Sequence, residues 1–484
     1  MPGAVLREGS NPFQTACGGV VSRFLCIDDS VAMERRDFLT KGLTAGVAAG
    51  VVPSAVADTD WSAPDDRAPD DSVSIGFIGI GGRGTHLLDL ILRFSEVKVP
   101  AVCDTAKENV IDAQDQVEQS GQPRPEAYGK RETSYREMLA EQDLDGVVIA
   151  TPWEWHIRMA IDAMEAGTYA AFEVGAANEV EECWELVKTY EETGVPSMLL
   201  ENLCFSRENM MVLNMVRQGL FGELVHAKCG YSHDLRGRLV MGKGSGPTPK
   251  GEGDYRSMHN KLRNGDLYPS HGIGPIAKCL RIQRGNRFSY LASTSTKSRG
   301  LQEWAEENLS EGHPRCAIDW KQGDIVTTTL TCQNGETVEI TFDTRLPRPH
   351  TGSSFRYQLR GTEGMWQGDK NYMYIEGRSS GEKEPIEDYL EEFEHPLWER
   401  YLQDDQITKS GHGGIDALEL RVFVECVERG VKPPIDVYDA AAWSAIGPLS
   451  EASIAKGGQP VEFPDFTNGQ WMTNEPIMGV DGEY

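Results

Sequence analysis

The chain has few basic residues for its size. Lysine and arginine together number 47 against 75 aspartates and glutamates, which leaves a formal net charge of −28 over 484 residues. A surface with this excess of negative charge repels phosphate groups, so the composition argues against nucleic acids and anionic membranes as partners. A neutral ligand such as a sugar is compatible with it.

Cysteine pairs and long apolar runs are also missing. The ten cysteines include no CxxC pair and no zinc-like spacing with histidine, so no metal site is expected. Buried free thiols are the expected state, and disulfides after export stay open as an alternative. No segment has the length of a transmembrane span, and no internal repeat or heptad run occurs. A soluble globular protein is expected, and its length favours two domains.

The N-terminal segment has the features of an export signal. The pair Arg35-Arg36 forms a twin-arginine pattern, the run 42–52 is small and apolar, and the tripeptide 55–57 is an Ala-x-Ala cleavage site. The apolar run is too short to span a bilayer as a helix. We therefore expect residues 1–57 to be removed during export by the twin-arginine route, with the periplasm as destination.

The start of the folded chain is predicted from the same region. Residues before Met33 have no signal character, which makes Met33 a candidate for the true start. Residues 58–71 are rich in Asp, Pro and Ala and are predicted as a linker. Proteins exported by this route cross the membrane folded, so a cofactor loaded beforehand is carried out with them.

Apolar runs alternate with helical patterns between residues 72 and 202. This alternation is typical of a doubly wound parallel sheet, so a Rossmann-type α/β domain is predicted for 72–202. The predicted strands cover residues 73–78, 97–103, 145–150, 169–174 and 197–200, and the predicted helices cover 85–94, 106–120, 135–141, 156–166 and 180–193.

The pattern changes after residue 202. Separated β-runs with few helices between them indicate a largely antiparallel open sheet, followed by C-terminal helices. An α+β substrate-binding domain is therefore predicted for 203–484. Its predicted strands cover 225–231, 289–296, 325–332, 337–343 and 355–361, and its predicted helices cover 209–218, 273–281, 385–393, 416–429 and 439–455.

A glycine-rich turn follows the first predicted strand and opens a helix. The GxGxxG spacing allows a tight turn, close approach of a pyrophosphate and close packing of helix on strand, while the helix N-terminus offers free amides. Asp104 ends the second strand. A carboxylate at this place accepts hydrogen bonds from the ribose hydroxyls and repels a 2′-phosphate, so NAD, and not NADP, is the predicted cofactor. The turn consists of Gly79, Gly81, Gly82, Arg83 and Gly84.

Polar and aromatic residues follow the next three strands. The carboxyl ends of parallel strands meet at one edge of a sheet, where ligands bind in open α/β folds. Tryptophans at this edge are suited to wall a nicotinamide pocket. The residues are Trp153, Glu154, Trp155 and His156 after the third strand, Glu173 and Val174 after the fourth, and Glu201 and Asn202 after the fifth.

The segment Asn264–Gly272, with the sequence NGDLYPSHG, carries two groups that move protons. Tyr268 and His271 titrate between about pH 6 and 10 in their reference states. They lie in a predicted loop before the helix 273–281. His271 is the first candidate for a general base, and His233 is a weaker candidate.

These motifs together resemble the Gfo/Idh/MocA oxidoreductase superfamily. More narrowly, GFIGIGGRG, TPWEWH and NGDLYPSHGIGP are similar to glycoside hydrolase family 109, the NAD-dependent α-N-acetylgalactosaminidases. The resemblance implies NAD contacts from Gly82, Arg83, Asp104, Trp153, Glu154, Trp155, His156, Glu173, Val174 and Asn202. It implies sugar contacts from Tyr231, Arg256, Tyr268, Pro269, Ser270, His271 and Gly272.

Two departures from the superfamily pattern affect the chemistry. The usual Glu-Lys-Pro triplet is Glu173-Val174-Gly175 here, so the lysine that helps to move a hydroxyl proton is missing. Tyr268 and His271 are the expected replacements. His350 stands where the family has a substrate-site tyrosine, and imidazole is shorter and titrates near neutrality. This difference leaves the exact sugar, the anomer and the N-acetyl preference open.

The resemblance implies an exported NAD-dependent glycosidase acting on an N-acetylgalactosaminide-like glycoside. The implied route is transient C3 oxidation, C2 deprotonation, elimination, water addition and re-reduction, without net redox change. A sugar or polyol dehydrogenase, or an oxidoreductase coupling two sugars, is the alternative. A third alternative is a non-catalytic sugar-binding protein. The open sheet and the resemblance together favour a homodimer.

Overall fold

The computed structural model describes residues 72–175, 177–242, 255–349 and 354–480. The predicted signal at 1–57, the linker at 58–71 and His350 lie outside these ranges. No helix within them is long and apolar enough to cross a membrane. The eight cysteines of the described part are all free thiols, and seven of them are buried.

The first part of the chain folds as a parallel sheet with helices on it. Seven strands pair in the order β4-β3-β1-β5-β6-β7, and β2 pairs with β1. The elements are β1 (Val73–Ile78), α1 (Gly82–Ile91), β2 (Val97–Lys98), β3 (Ala101–Cys103), α2 (Lys107–Gln119), β4 (Glu126–Tyr128), α3 (Ser134–Glu141), β5 (Gly146–Ile149), α4 (Trp153–Glu165), β6 (Tyr169–Glu173), α5 (Val180–Thr193) and β7 (Ser197–Leu200).

The second sheet has eight strands in the order β14-β13-β12-β8-β11-β10-β9-β15. All its pairs are antiparallel except β8 with β11. Its elements begin with α6 (Arg207–Arg217), β8 (Leu224–Ser232), α7 (Arg236–Met241), α8 (Tyr255–Leu262), α9 (Ser270–Cys279), β9 (Phe288–Ser295), α10 (Gly300–Asn308), β10 (Ile325–Cys332), β11 (Thr337–Asp343), β12 (Gln358–Gly361), β13 (Gly364–Gln367) and β14 (Tyr372–Ile375). The predicted fold class, a Rossmann sheet joined to a largely antiparallel sheet, is confirmed.

The C-terminal helices return to the first sheet. They are α11 (Glu387–Phe393), α12 (Pro396–Tyr401), α13 (Asp405–Thr408), α14 (Ile415–Arg429), α15 (Val437–Ser444) and α16 (Ile446–Ala455), followed by β15 (Val461–Glu462). Helix α14 packs on α1, and α15 packs on α5 and β7. This packing brings residues more than 300 positions apart in the sequence to the edge of the Rossmann sheet.

Prolines account for two places where the predicted elements are wrong. The predicted strand 97–103 is two short strands, because Pro100 has no N–H to give to the ladder. The predicted helix 439–455 is divided at Ala445, because Pro448 cannot donate to the carbonyl of Ser444. The short strands β4, β13, β14 and β15 were not predicted.

The largest functional correction concerns the predicted loop before residue 273. Helix α9 begins at Ser270, so His271 lies in the first helical turn instead of a loop. Pro269 precedes this turn, where its fixed φ and missing N–H cost nothing. The imidazole of His271 is therefore held by a regular helix, which packs on β8 and α6.

Candidate functional site

The carboxyl edge of the Rossmann sheet opens into a cleft of about 670 Å³. Its walls come from the ends of β1, β3, β5 and β6 on one side and from β8, α8 and α9 on the other. Both halves of the described fold therefore contribute side chains to one cavity. This is the size range of pockets for cofactors and small ligands.

The glycine turn after β1 is packed too closely for side chains at two positions. Gly79 has φ +82°, and a Cβ there would lie 2.8 Å from the Ala150 carbonyl carbon. A Cβ on Gly84 would lie 1.9 Å from the Gly79 oxygen. Gly79 lines the cleft, whereas Gly84 packs the helix against the turn and does not line it. Gly81 caps α1 without a side-chain hydrogen bond, which leaves the amides of the first turn free.

Asp104 lines the cleft and is held by the protein. Its Oδ2 accepts hydrogen bonds from the Ile80 amide at 2.7 Å and from the Asn109 side chain at 3.2 Å. Its Oδ1 accepts a hydrogen bond from the Ala106 amide at 2.7 Å. A carboxylate has about four acceptor positions. The orientation of Asp104 is therefore fixed, while an acceptor position remains for a ribose hydroxyl.

Two buried acceptors in the cleft have no partner among the described residues. His156 donates from Nε2 to the Thr151 carbonyl at 2.7 Å, and its Nδ1 has no partner. Burial lowers the pKa of His156, so Nδ1 stays an acceptor. The Oδ1 of Asn202 also has no partner. Buried acceptors without donors are costly, and the carboxamide and hydroxyl groups of NAD supply such donors, so the residues fit this cofactor.

Arg83 is fixed by two carboxylates beside the glycine turn. Its Nε donates to Glu173 at 2.6 Å, and its Nη2 donates to Asp416 at 3.0 Å. Asp416 belongs to α14, and its side chain is fully buried. The C-terminal part of the chain thereby fixes a side chain of the nucleotide turn.

The position of the missing lysine is apolar in the structure. Val174 lines the cleft and is buried, and it offers no proton. Gly175 has φ +81°, and a Cβ there would lie 2.3 Å from Nε1 of Trp153. A proline cannot adopt this conformation, so the Val-Gly pair and the position of Trp153 depend on each other.

Aromatic rings form part of the cleft wall. The Trp153 ring stacks on Tyr268 with centroids 5.4 Å apart, and Tyr268 contacts Tyr231 at 4.7 Å. The Arg256 guanidinium lies over Trp153 at 5.1 Å and over Tyr268 at 4.9 Å. Stacked rings beside a cation favour flat or sugar-like ligands with polar edges.

His271 forms a dyad with a buried carboxylate. Its Nδ1 lies 2.7 Å and 3.0 Å from the two oxygens of Glu201. Glu201 follows β7 and is fully buried. An ionised carboxylate only accepts hydrogen bonds, so Nδ1 carries the proton and Nε2 is left as an acceptor. His271 lines the cleft, and its ring lies 5.0 Å from that of Tyr268.

The two remaining titratable candidates differ in protonation. Burial raises the pKa of Tyr268 above its usual range, against the opposing effect of Arg256, so the phenol is a proton donor. Burial and the nearby His271 lower the pKa of His233 to about 4, which leaves it neutral at neutral pH. The ring of His233 contacts that of Tyr231 in a tilted arrangement, with centroids 4.5 Å apart, and His233 does not line the cleft.

Most of the predicted site residues meet in this cleft, and a few do not. The residues that line it are Gly79, Gly81, Gly82, Arg83, Asp104, Trp153, Glu154, Trp155, His156, Glu173, Val174, Asn202, Tyr231, Arg256, Tyr268 and His271. Pro269 and Ser270 border a separate small cavity beside Trp443. A Cβ on Gly272 would lie 2.8 Å from the Gly230 amide, so Gly272 serves the contact of α9 with β8. The positions of Pro269, Ser270 and Gly272 outside the cleft lining do not favour the sugar contacts expected of them. His350 lies outside the described ranges.

The lining residues that were not predicted from the sequence include three from the second half of the chain. Arg238 and Tyr255 come from α7 and α8, and His412 comes from the segment before α14. The glycines around His412, in the sequence Gly-His-Gly-Gly, were the available signal for an unusual turn.

Two family models match the chain. Residues 73–200 match the oxidoreductase family with an NAD-binding Rossmann fold, and residues 205–473 match the glycosyl hydrolase 109 C-terminal domain. An α-N-acetylgalactosaminidase of Tannerella forsythia is 41% identical, over 92% of this chain and 99% of its own. A glycosyl hydrolase family 109 protein of Stenotrophomonas maltophilia is 44% identical, over 94% of this chain and 100% of its own.

Solved structures with the same fold are more distant in sequence. Levoglucosan dehydrogenase, in complex with NADH and L-sorbose, has a TM-score of 0.61 at 17% identity and covers 82% of this chain and 100% of its own. Aldose-aldose oxidoreductase of Caulobacter crescentus has a TM-score of 0.56 at 16% identity, over 81% of this chain and 99% of its own. NAD is the cofactor that the Rossmann match and the cleft indicate. The chain therefore belongs to glycoside hydrolase family 109 and is an NAD-dependent glycoside hydrolase on the Gfo/Idh/MocA oxidoreductase fold.

Proposed function

We propose that the enzyme cleaves an N-acetylgalactosaminide-like glycoside by a redox-assisted route. The observation that carries this proposal is the dyad of His271 and Glu201, with an acceptor nitrogen facing the cofactor cleft beside Tyr268. The substrate class follows from the relative in Tannerella forsythia, which is named an α-N-acetylgalactosaminidase. The proposed route is transient oxidation at C3, deprotonation at C2, elimination, water addition and re-reduction.

The carboxylates of the cleft support this route over direct displacement. Ordinary glycosidases flank the scissile bond with two free carboxyl groups. Within the described lining there are four carboxylates. Asp104 and Glu173 are hydrogen-bonded in the protein, Glu154 lies 3.8 Å from His259, and Glu132 is exposed on a loop.

Each polar group of the sugar side then has a role. NAD, when bound, supplies a reversible acceptor for the hydride at C3 of the sugar. Nε2 of His271 accepts the C3 hydroxyl proton or the C2 proton, and Glu201 stabilises the resulting imidazolium. Tyr268 stays protonated and donates to a sugar oxygen. Arg256 and Tyr231 orient the sugar ring. The Arg256 guanidinium stabilises the negative charge that develops on the C3 oxygen.

A sugar dehydrogenase or sugar-sugar oxidoreductase is the second candidate. The solved structures that share the fold include enzymes with these names. The apolar Val174 in place of lysine favours the glycosidase, because the usual proton-moving ammonium is missing from the cleft. The two candidate functions differ in whether the sugar product is left oxidised: a dehydrogenase leaves it oxidised, whereas the glycosidase reduces it again.

Incubation with p-nitrophenyl α-N-acetylgalactosaminide, without added NAD, separates the candidates. We expect nitrophenol release over many turnovers without accumulation of NADH. One NADH per sugar, with the aglycone retained, would instead assign a dehydrogenase. His271→Ala is expected to lower release to a small residual rate while NAD stays bound.

Export and assembly complete the proposal. The twin-arginine pattern before residue 57 supports export to the periplasm with NAD already bound, where re-reduction at each turnover removes the need for a cofactor pool. The open sheet supports a homodimer. Export is tested by fractionation of cells that carry an intact or a Lys-Lys-substituted signal. The homodimer is tested by light scattering of the purified protein.

A further inference from the structure

The segment before α14 lies against the first turn of the nucleotide helix. Gly411–Gly414 forms an irregular turn in which His412 has φ 56° and Gly413 has φ 70°. The His412 ring contacts the ring of His86 on α1, with centroids 5.9 Å apart. His412 lines the cleft together with Gly81, Gly82 and Arg83, whereas His86 does not.

Asp416 is the residue that holds this arrangement. Its Oδ2 lies 2.6 Å from Nδ1 of His412 and 3.0 Å from Nε2 of His86, while its Oδ1 accepts from Asn202 at 2.7 Å and from Arg83 at 3.0 Å. Four donors on one buried carboxylate keep it ionised, and its pKa is held below the usual range. One residue of α14 thus positions three side chains of the cleft.

The bond to Asp416 also determines what His412 presents to the cleft. Nδ1 donates to the carboxylate, and this hydrogen bond raises the pKa of His412, which favours the imidazolium. About two thirds of the side chain is exposed, at 66%. In the imidazolium form, Nε2–H is a charged donor beside the free amides of α1, where a dinucleotide places its phosphates.

We propose that His412 is a pyrophosphate-binding residue that closes the NAD site from the second half of the chain. Asp416 acts through His412, Arg83 and Asn202 and is a positioning residue. The inference rests on NAD as cofactor and does not depend on the glycosidase route. A cation supplied by the C-terminal half slows release of NAD, as an exported enzyme with a resident cofactor requires.

A metal-binding site is the alternative interpretation of the same residues. His86, His412 and Asp416 offer three ligand atoms within 4.8 Å of one another. The Arg83 guanidinium, however, donates to the same carboxylate at 3.0 Å, and a divalent cation beside it would be repelled. The geometry therefore favours an anion facing His412 over a cation between the three side chains.

The test compares two variants by calorimetric titration of NAD⁺, ADP and adenosine into cofactor-free protein. His412→Asn removes the charge and suits the left-handed backbone. His86→Gln is the matched control, since His86 bonds the same oxygen and does not face the cleft. We expect about a tenfold weaker Kd for NAD⁺ and ADP in His412→Asn, with adenosine unchanged, and less than a twofold change in His86→Gln.

Three results would overturn the proposal. One is an unchanged Kd of His412→Asn for ADP, and another is an equal loss in the control. The third is stoichiometric Zn²⁺ binding to the unmodified protein that both variants abolish, which would assign a metal site. Should the variant fail to fold, carbethoxylation of the unmodified enzyme, read at His412 by mass spectrometry, replaces it. ADP should then protect His412 and adenosine should not, and equal modification would contradict the assignment.

Discussion

Replacement of Glu201 by glutamine is the most informative perturbation of the proposed dyad of His271 and Glu201. The substitution keeps the size of the side chain and an acceptor for the Leu203 amide, which Glu201 binds at 3.2 Å. It removes the charge that faces Nδ1 of His271 at 2.7 Å. The change is therefore electrostatic, and the fold around this fully buried position is expected to persist.

The size of the effect follows from the kind of hydrogen bond that is lost. A hydrogen bond to a charged group contributes about 1.5–3 kcal/mol, and each 1.36 kcal/mol is tenfold in rate. Glu201→Gln is therefore expected to lower kcat by about 10- to 150-fold. The Kd for NAD⁺ should stay within about twofold, because Glu201 does not line the cofactor cleft.

The assay is steady-state release of p-nitrophenol, with calorimetry for NAD⁺ binding. Tyr357→Phe is the matched control, since its hydroxyl donates to the backbone carbonyl of His271 and not to the ring. This control should lower kcat less than Glu201→Gln does. A double-mutant cycle supplies the refutation. If Glu201→Gln costs as much residual activity in the His271→Ala background as in the unmodified enzyme, Glu201 does not act through His271.

Two further predictions concern stability. Gly175→Ala should lower Tm by several degrees and change the Trp153 fluorescence, because the new Cβ would lie 2.3 Å from the indole nitrogen at a φ of +81°; an unchanged Tm would contradict the packing described for the Val174-Gly175 pair. Burial raises the pKa of Asp266 to about 7 from 3.8, so the folded state binds this proton more tightly than the unfolded state. Stability from this group is present below about pH 4 and is lost as the pH rises towards 7, by up to about 1.4 kcal/mol per pH unit. Urea unfolding of Asp266→Asn between pH 4 and 8 should lack this part of the pH dependence, and an unaltered profile would refute the assignment.

Local patterns predicted the cofactor half of the site well. The turn 79–84 and the strand ends near 153, 173 and 201 were readable because the carboxyl ends of parallel strands meet at one edge. Their neighbours along the chain decide their conformation. The sequence therefore predicted many of the Rossmann-domain residues that line the cleft.

Contacts between distant segments were not predictable in the same way. Glu201 meets His271 across 70 positions, and Arg83 meets Asp416 across 333. Both depend on how helices pack after the strands have formed, which periodicity does not encode. The start of α9 at Ser270 was missed because three glycines and two prolines near it predict a loop, whereas packing on β8 stabilises the helix.

In the proposed route, cleavage proceeds through a reversible oxidation that acidifies C2 of the sugar. Its most direct test is turnover of an α-N-acetylgalactosaminide in D₂O, with mass spectrometry and NMR of the released sugar. We expect one carbon-bound deuterium at C2 of the product and no accumulation of NADH. Complete cleavage with only hydrogen at C2 would contradict it and would assign direct displacement instead.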